Sequence, residues 1–194
     1  MSKPILLAML LLGCAQRAQA ESGADKVASL TASCATVRLS CDTLADIYAK
    51  GLYDVPIDLP RAAGLYRKAC DAGLELACDN IGDFHSKRLG SNARPELAAP
   101  AYLKACDGGF GLGCEHLAKL YRDGRGVARD PATAILYFQR GCDAGNALSC
   151  DDLGDVYAKG IGVAVDAAKA AVNYRHGCDA KLQLACDHLA ALKP

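Results

Sequence analysis

The stretch Cys142-Asp143-Ala144-Gly145-Asn146-Ala147-Leu148-Ser149-Cys150 decides the fold. Two cysteines stand eight residues apart, and the same spacing returns at Cys70 and Cys78, Cys106 and Cys114, and Cys178 and Cys186. The leading members, Cys34, Cys70, Cys106, Cys142 and Cys178, are each 36 residues from the next. The trailing members, Cys41, Cys78, Cys114, Cys150 and Cys186, follow in steps of 37, 36, 36 and 36. A fixed period of this length marks a repeat architecture, in which one supersecondary unit stacks on the next.

Other residues keep the same beat. Tyr66, Tyr102, Phe138 and Tyr174 stand four before a leading cysteine, and Ala62, Ala98, Ala134 and Ala170 stand eight before. Leu44, Ile81, Leu117, Leu153 and Leu189 stand three after a trailing cysteine. Cys41, Leu44, Ala45 and Tyr48 have the i, i+3, i+4, i+7 spacing of one helix face. This helix, here called A, is predicted to stop at Gly51, Gly124 or Gly160. After a loop, Asp58, Asp130 and Asp166 are placed to cap a helix B, with Pro131 at its first position, where a missing N–H costs nothing. Helix B ends just past a cysteine, with Gly73 and Gly145 suited to a left-handed residue there.

That layout dictates the cysteine pairing. On one continuous helix, residues eight apart lie about 12 Å apart, beyond disulfide reach. A turn between them lets the chain double back, so the expected pairs are Cys34–Cys41, Cys70–Cys78, Cys106–Cys114, Cys142–Cys150 and Cys178–Cys186. Zinc is the other use of such cysteines, but the chain has no C-x-x-C and no regular histidine column.

The 194 residues carry no net charge, and without the first 20 the balance is 20 basic to 22 acidic side chains. No basic surface announces nucleic acid or an anionic membrane. Eleven cysteines suit an oxidising compartment. Lys3 followed by the apolar run Ile5 to Leu12 reads as an export signal, too short to span a membrane. Two processing readings stand side by side: cleavage after Ala18-Gln19-Ala20, which makes residues 1–20 a signal peptide, or a lipobox at Leu11-Leu12-Gly13-Cys14, which removes residues 1–13 and lipidates Cys14. Either way the membrane is touched only through a lipid or before signal cleavage. The protein is then periplasmic, outer-membrane-anchored or secreted. Residues 21–194 form the solenoid, with repeats at about 41–77, 78–113, 114–149 and 150–185 and a capping helix at 186–194.

Leu153-Gly154-Asp155-Val156-Tyr157-Ala158-Lys159-Gly160-Ile161-Gly162-Val163, followed by Asp166, Lys169-Ala170 and Tyr174, resembles the Sel1-like repeat family, relatives of the tetratricopeptide repeats. The cysteines eight apart resemble its disulfide-rich branch, the Helicobacter cysteine-rich proteins. The resemblance covers residues 34 to 192 and implies an all-α fold, a right-handed α/α solenoid of about four helix-turn-helix repeats stapled by disulfides. Repeat 2 departs from the pattern: it lacks the G-x-G-V loop, reading Phe84-His85-Ser86-Lys87-Arg88-Leu89-Gly90-Ser91-Asn92. It also carries Pro100 inside helix B, where a kink or a late start is expected.

Catalytic motifs such as H-E-x-x-H, G-x-S-x-G, the P-loop and S-x-x-K do not occur, and no catalytic residue, metal site or cofactor is expected. The four histidines read as scattered surface residues. An acid follows each trailing cysteine, at Asp42, Asp79, Glu115, Asp151 and Asp187, and four further on stand Asp46, Asp83, Lys119, Asp155 and Ala191. In related solenoids helix A lines the concave groove, so Asp42, Asp46, Asp79, Asp83, Glu115, Asp151 and Asp155 form a candidate stripe for a basic peptide. The same acids would also suit a helix N-terminus as a plain electrostatic and solubility feature. The resulting expectation is a monomeric, exported scaffold that binds a protein or peptide. The resemblance carries one alternative, the penicillin-binding or weak β-lactamase activity described for some cysteine-rich relatives.

Overall fold

The structure, a computed structural model, describes residues 22–86 and 94–192. Those residues form ten α-helices: α1 Gly23–Ser33, α2 Arg38–Lys50, α3 Leu59–Asp71, α4 Glu75–Ser86, α5 Ala98–Asp107, α6 Gly111–Asp123, α7 Pro131–Asp143, α8 Ala147–Lys159, α9 Ala167–Asp179 and α10 Gln183–Ala191. Each packs on its neighbours in sequence, giving an α/α solenoid. The even-numbered helices are the A helices. α4, α6, α8 and α10 also touch each other directly across repeats, while no B helix reaches the next B helix to that extent, so the A helices form the inner layer. Within the described residues, α1 is a B helix and α10 an A helix.

Local chemistry accounts for the boundaries. Asp58, Asp130 and Asp166 accept hydrogen bonds from the backbone N–H groups of Arg61, Thr133 and Lys169, and so cap α3, α7 and α9. Gly51, Gly124 and Gly160 end α2, α6 and α8 in the left-handed conformation. Each A-to-B loop is drawn closed by one bond: the backbone N–H groups of Asp58, Asp130 and Asp166 donate to the carbonyls of Tyr48, Tyr121 and Tyr157 at 2.8–2.9 Å. Repeat 2 closes in the same way, Arg94 to His85, although residues 87–93 between them lie outside the described part. Pro100 falls in the first turn of α5, which begins at Ala98 after a short 3-10 turn at Pro95–Leu97. The proline produces a late start, because a first-turn N–H has no intrahelical partner to lose.

The periodic columns form the interior. Ala62, Ala98, Ala134 and Ala170 are almost wholly buried, as are Tyr66, Tyr102, Phe138 and Tyr174 and the leucines at 44, 117 and 153. Small side chains in one column let the helices close on the large ones in the next. At every B-to-A turn a disulfide joins the two helices: Cys34–Cys41, Cys70–Cys78, Cys106–Cys114, Cys142–Cys150 and Cys178–Cys186, with Cα atoms 4.5–4.7 Å apart. The capping helix is α10, and it begins at Gln183 rather than at Cys186.

The second glycine of the G-x-G-V loop has a packing reason. Gly126 is laid against the backbone of Pro95, and Gly162 against Pro131, each the first residue of the preceding helix B turn, with no room for a side-chain carbon. In repeat 1 the matching residue is Tyr53, which holds a left-handed backbone. There the glycine has changed sides: Gly23, first residue of α1, lies against the Tyr53 carbonyl.

Candidate functional site

The inner layer carries two ladders of polar contacts, both built from the acidic columns. The first runs between repeats. Asp42, Asp79, Glu115 and Asp151 are 1–6% exposed, deep in the seam between successive A helices. The Asn80 amide donates to Asp42 at 2.9 Å, and the Nδ1 atoms of His116 and His188 each lie 2.8 Å from Asp79 and Asp151. Asp42, Asp79 and Asp151 are therefore each satisfied by the residue two past the trailing cysteine of the next repeat, as a buried carboxylate requires.

The second ladder runs within each repeat, from helix B to helix A. The hydroxyls of Tyr66, Tyr102 and Tyr174 donate to Asp46, Asp83 and Asp155. Asp46 and Asp155 also take a lysine one turn on, Lys50 and Lys159, at 2.7–2.8 Å. Burial first, and then the carboxylate opposite, push all three tyrosine hydroxyls well above the usual phenol range. For Asp155, burial pulls the other way, but the bonds from Lys159 and Tyr174 hold its carboxyl below the ordinary value.

Repeat 3 is wired with the opposite polarity. Lys119 replaces the aspartate, and Phe138 replaces the tyrosine that would have donated to it. At the next junction the residue facing Glu115 is Asp152, an acid where the other junctions have Asn80, His116 and His188. Lys119 bridges the two carboxylates, paired with Glu115 and 3.2 Å from Asp152. Arg122 adds a second contact to Asp152 at 3.2 Å and holds Asp123 at 2.8 Å. Burial still raises the Asp152 carboxyl, with Lys119 the largest opposing influence.

The acidic columns are thus not an open row of carboxylates. Asp42, Asp79, Glu115 and Asp151 are covered and bonded. Asp46, Asp83 and Asp155 are half-exposed and engaged with a tyrosine. Asp187 at the last repeat bonds Gln183 of its own helix. The histidine reading also needs correction: His116 and His188 are junction residues, each with a tyrosine ring at 4.9 and 5.2 Å. Around His116, burial lowers the pKa, but the bond to Asp79 and the charges of Asp79, Glu115 and Asp83 outweigh it and hold the imidazole above its ordinary value. Asp79, Asp83 and His116 bring three ligand-type atoms within 4.8 Å of one another. Cys14 and the export segment lie outside the described residues. Among the described residues no helix is long and apolar enough to cross a membrane.

Comparison with known proteins agrees with this architecture. The Sel1 repeat model matches residues 39–74, 111–146 and 147–180. Among solved structures, a protective antigen of uropathogenic Escherichia coli strains that displays an SLR fold is 27% identical with a TM-score of 0.74, over 87% of this chain and 37% of that one. A Sel1 repeat protein of Oxalobacter formigenes is 24% identical with a TM-score of 0.71, over 80% of this chain and 63% of that one. Cysteine rich protein B of Helicobacter pylori is 25% identical with a TM-score of 0.56, over 68% of this chain and 94% of that one. This chain therefore spans little more than a third of the first of these proteins and under two thirds of the second. No curated protein sequence matches it.

Proposed function

From the premise that the chain belongs to the Sel1 repeat family, we propose that it is an exported, monomeric scaffold that binds a protein or peptide along the inner face of its A helices. The observation that carries this reading is the inner face itself. Asp46, Asp83 and Asp155 sit at equivalent positions, half-exposed, each with its carboxylate held by a buried tyrosine. Stacked repeats set such positions about 10 Å apart. Pre-organised side chains at a regular spacing lower the ordering cost of binding an extended partner. The negative charge suits a basic segment, which would compete with Lys50 and Lys159, whose side chains are more than half exposed.

Five disulfides support export, because such bonds persist in oxidising compartments. The apolar run Ile5 to Leu12 supplies the signal, and the mature chain begins at a lipidated Cys14 or at Glu21. Intact mass of protein purified from the cell envelope distinguishes these two forms, and a chain retaining residues 1–12 would overturn export.

Binding is tested by crosslinking capture from envelope extract, followed by affinity measurement with the captured partner. Asp155→Asn and Asp83→Asn remove charge while keeping an acceptor for the tyrosines, so the fold is preserved. The expected result is weaker binding than wild type and an affinity that falls as salt rises. Equal binding by both variants would exclude the acidic positions. Nitrocefin hydrolysis on the same preparation tests the β-lactam alternative.

A further inference from the structure

We propose that Asp79, Asp83 and His116 form a binding site for a divalent transition-metal ion, Zn²⁺ being the best fit, which ties repeat 2 to repeat 3. The donors come from two helices, the aspartates from α4 and the histidine from α6. His116 Nδ1 lies 2.8 Å from Asp79 Oδ1 and 3.8 Å from Asp83 Oδ1. These separations bracket the edge of about 3.4 Å that a tetrahedral ion with bonds of about 2.1 Å requires. An imidazole among the donors favours zinc and its neighbours over magnesium or calcium.

A second observation concerns the other side of the ring. His116 Nε2 faces Glu115 Oε2 at 3.4 Å, and the Glu115 side chain is 2% exposed and anchored by Lys119. A carboxylate near the far nitrogen is the usual outer partner of a metal-bound histidine, and Glu115 stands there as a neighbouring charge. The inner partners are fixed as well. Tyr102 donates to Asp83 at 2.8 Å and lays its ring 4.9 Å from the imidazole. Three carboxylates therefore surround one imidazole in a largely covered seam. A dication in place of the imidazole proton would face the carboxylates of Asp79 and Asp83 directly.

The molecule contains its own control. At the next histidine junction, Asp151 lies 2.8 Å from His188, but no third ligand-type residue among those described joins them within 4.8 Å. Among the described residues, the group at Asp79 is the one that gathers three donors within 4.8 Å.

The test uses the full, tag-free chain after chelation, titrated with ZnCl₂ and with MgCl₂ by calorimetry and followed by thermal melting. The expected result is one high-affinity zinc site per chain, a raised Tm with zinc and none with magnesium. His116→Asn is the decisive variant, because Asn80 already fills that position at the preceding junction and bonds its aspartate. The substitution therefore keeps the fold while removing the nitrogen ligand, and it should weaken zinc binding at least tenfold. His188→Asn should leave it unchanged. Absence of zinc binding, or equal binding by the His116→Asn variant, would overturn the proposal.

Discussion

Repeats 3 and 4 occupy equivalent places in the solenoid and bury almost the same apolar columns, yet their polar contacts run in opposite senses. In repeat 4 an aspartate, Asp155, accepts from Tyr174, and the buried Asp151 accepts across the junction from His188. In repeat 3 a lysine stands in place of that aspartate, a phenylalanine in place of that tyrosine, and an acid in place of the cross-junction donor. The difference teaches that the fold specifies satisfied partners at these positions rather than particular residues. Once Lys119 is present, a hydroxyl at position 138 has no carboxylate to meet, and an acid at 152 becomes the fitting neighbour.

The sharpest way to break the comparison is to remove the two lysines. Lys119→Ala removes the cation on Glu115, whose side chain is 2% exposed, and leaves Arg122 alone on Asp152. The expected loss is about 2 kcal/mol, between the range for surface pairs and that for fully buried ones. Lys159→Ala removes a lysine that is 61% exposed and should cost well under about 1 kcal/mol. Urea unfolding of the two variants measures both, and equal losses would refute the bridging role of Lys119.

A smaller effect is expected from exchanging the aromatic residues. Tyr174→Phe deletes a hydrogen bond to a carboxylate and should cost about 1.5 kcal/mol. The reverse change, Phe138→Tyr, places a hydroxyl at a fully buried site in the repeat where Lys119 replaces the accepting aspartate, and should cost about 1 kcal/mol. If Phe138→Tyr were stabilising, the co-variation of positions 119 and 138 would have no energetic basis. Thermal melts suffice for both.

The smallest effect concerns Ser149, at the same junction. Its hydroxyl is buried with no hydrogen-bond partner, against Gly141, where a side-chain carbon would not fit. The equivalent residues before Cys78 and Cys186 are Ala77 and Ala185. Ser149→Ala is expected to be neutral or stabilising by up to about 1 kcal/mol, since it deletes an unsatisfied polar group. A destabilisation in the same melts would reveal a partner for that hydroxyl.

Much of this was legible in the sequence, because periodicity reports directly on which residues share a place. The cysteine period and the aspartate and glycine signals marked the helices, the turns and the cysteine pairs. What a column does not report is whom its members face. The acids at 42, 79, 115 and 151 read as an outward stripe, yet they point into the seam between repeats. The partners of Asp42, Asp79 and Asp151 lie one repeat and one or two residues further on, a spacing that a single-helix pattern does not display. For the same reason His116 and His188 looked unpartnered. The overlooked signal was the joint switch of Lys119 with Phe138, two columns visible separately but linked only across the helix pair. Tyr53 shows a related limit: the loop glycine it lacks is found 30 residues earlier, at Gly23, on the other side of the contact.

Each disulfide closes around a single B-to-A turn, and none reaches beyond it. This has a mechanical meaning. Pulled from its ends, the molecule is not locked by its crosslinks and can peel apart one hairpin at a time. Every bond only withholds the segment of seven or eight residues that it closes. An oxidised repeat would lengthen the tether by about 100 Å and a reduced one by about 125 Å, at roughly 3.5 Å per extended residue. The disulfides thus act as local rivets on an extensible strap, setting how far each segment pays out under load.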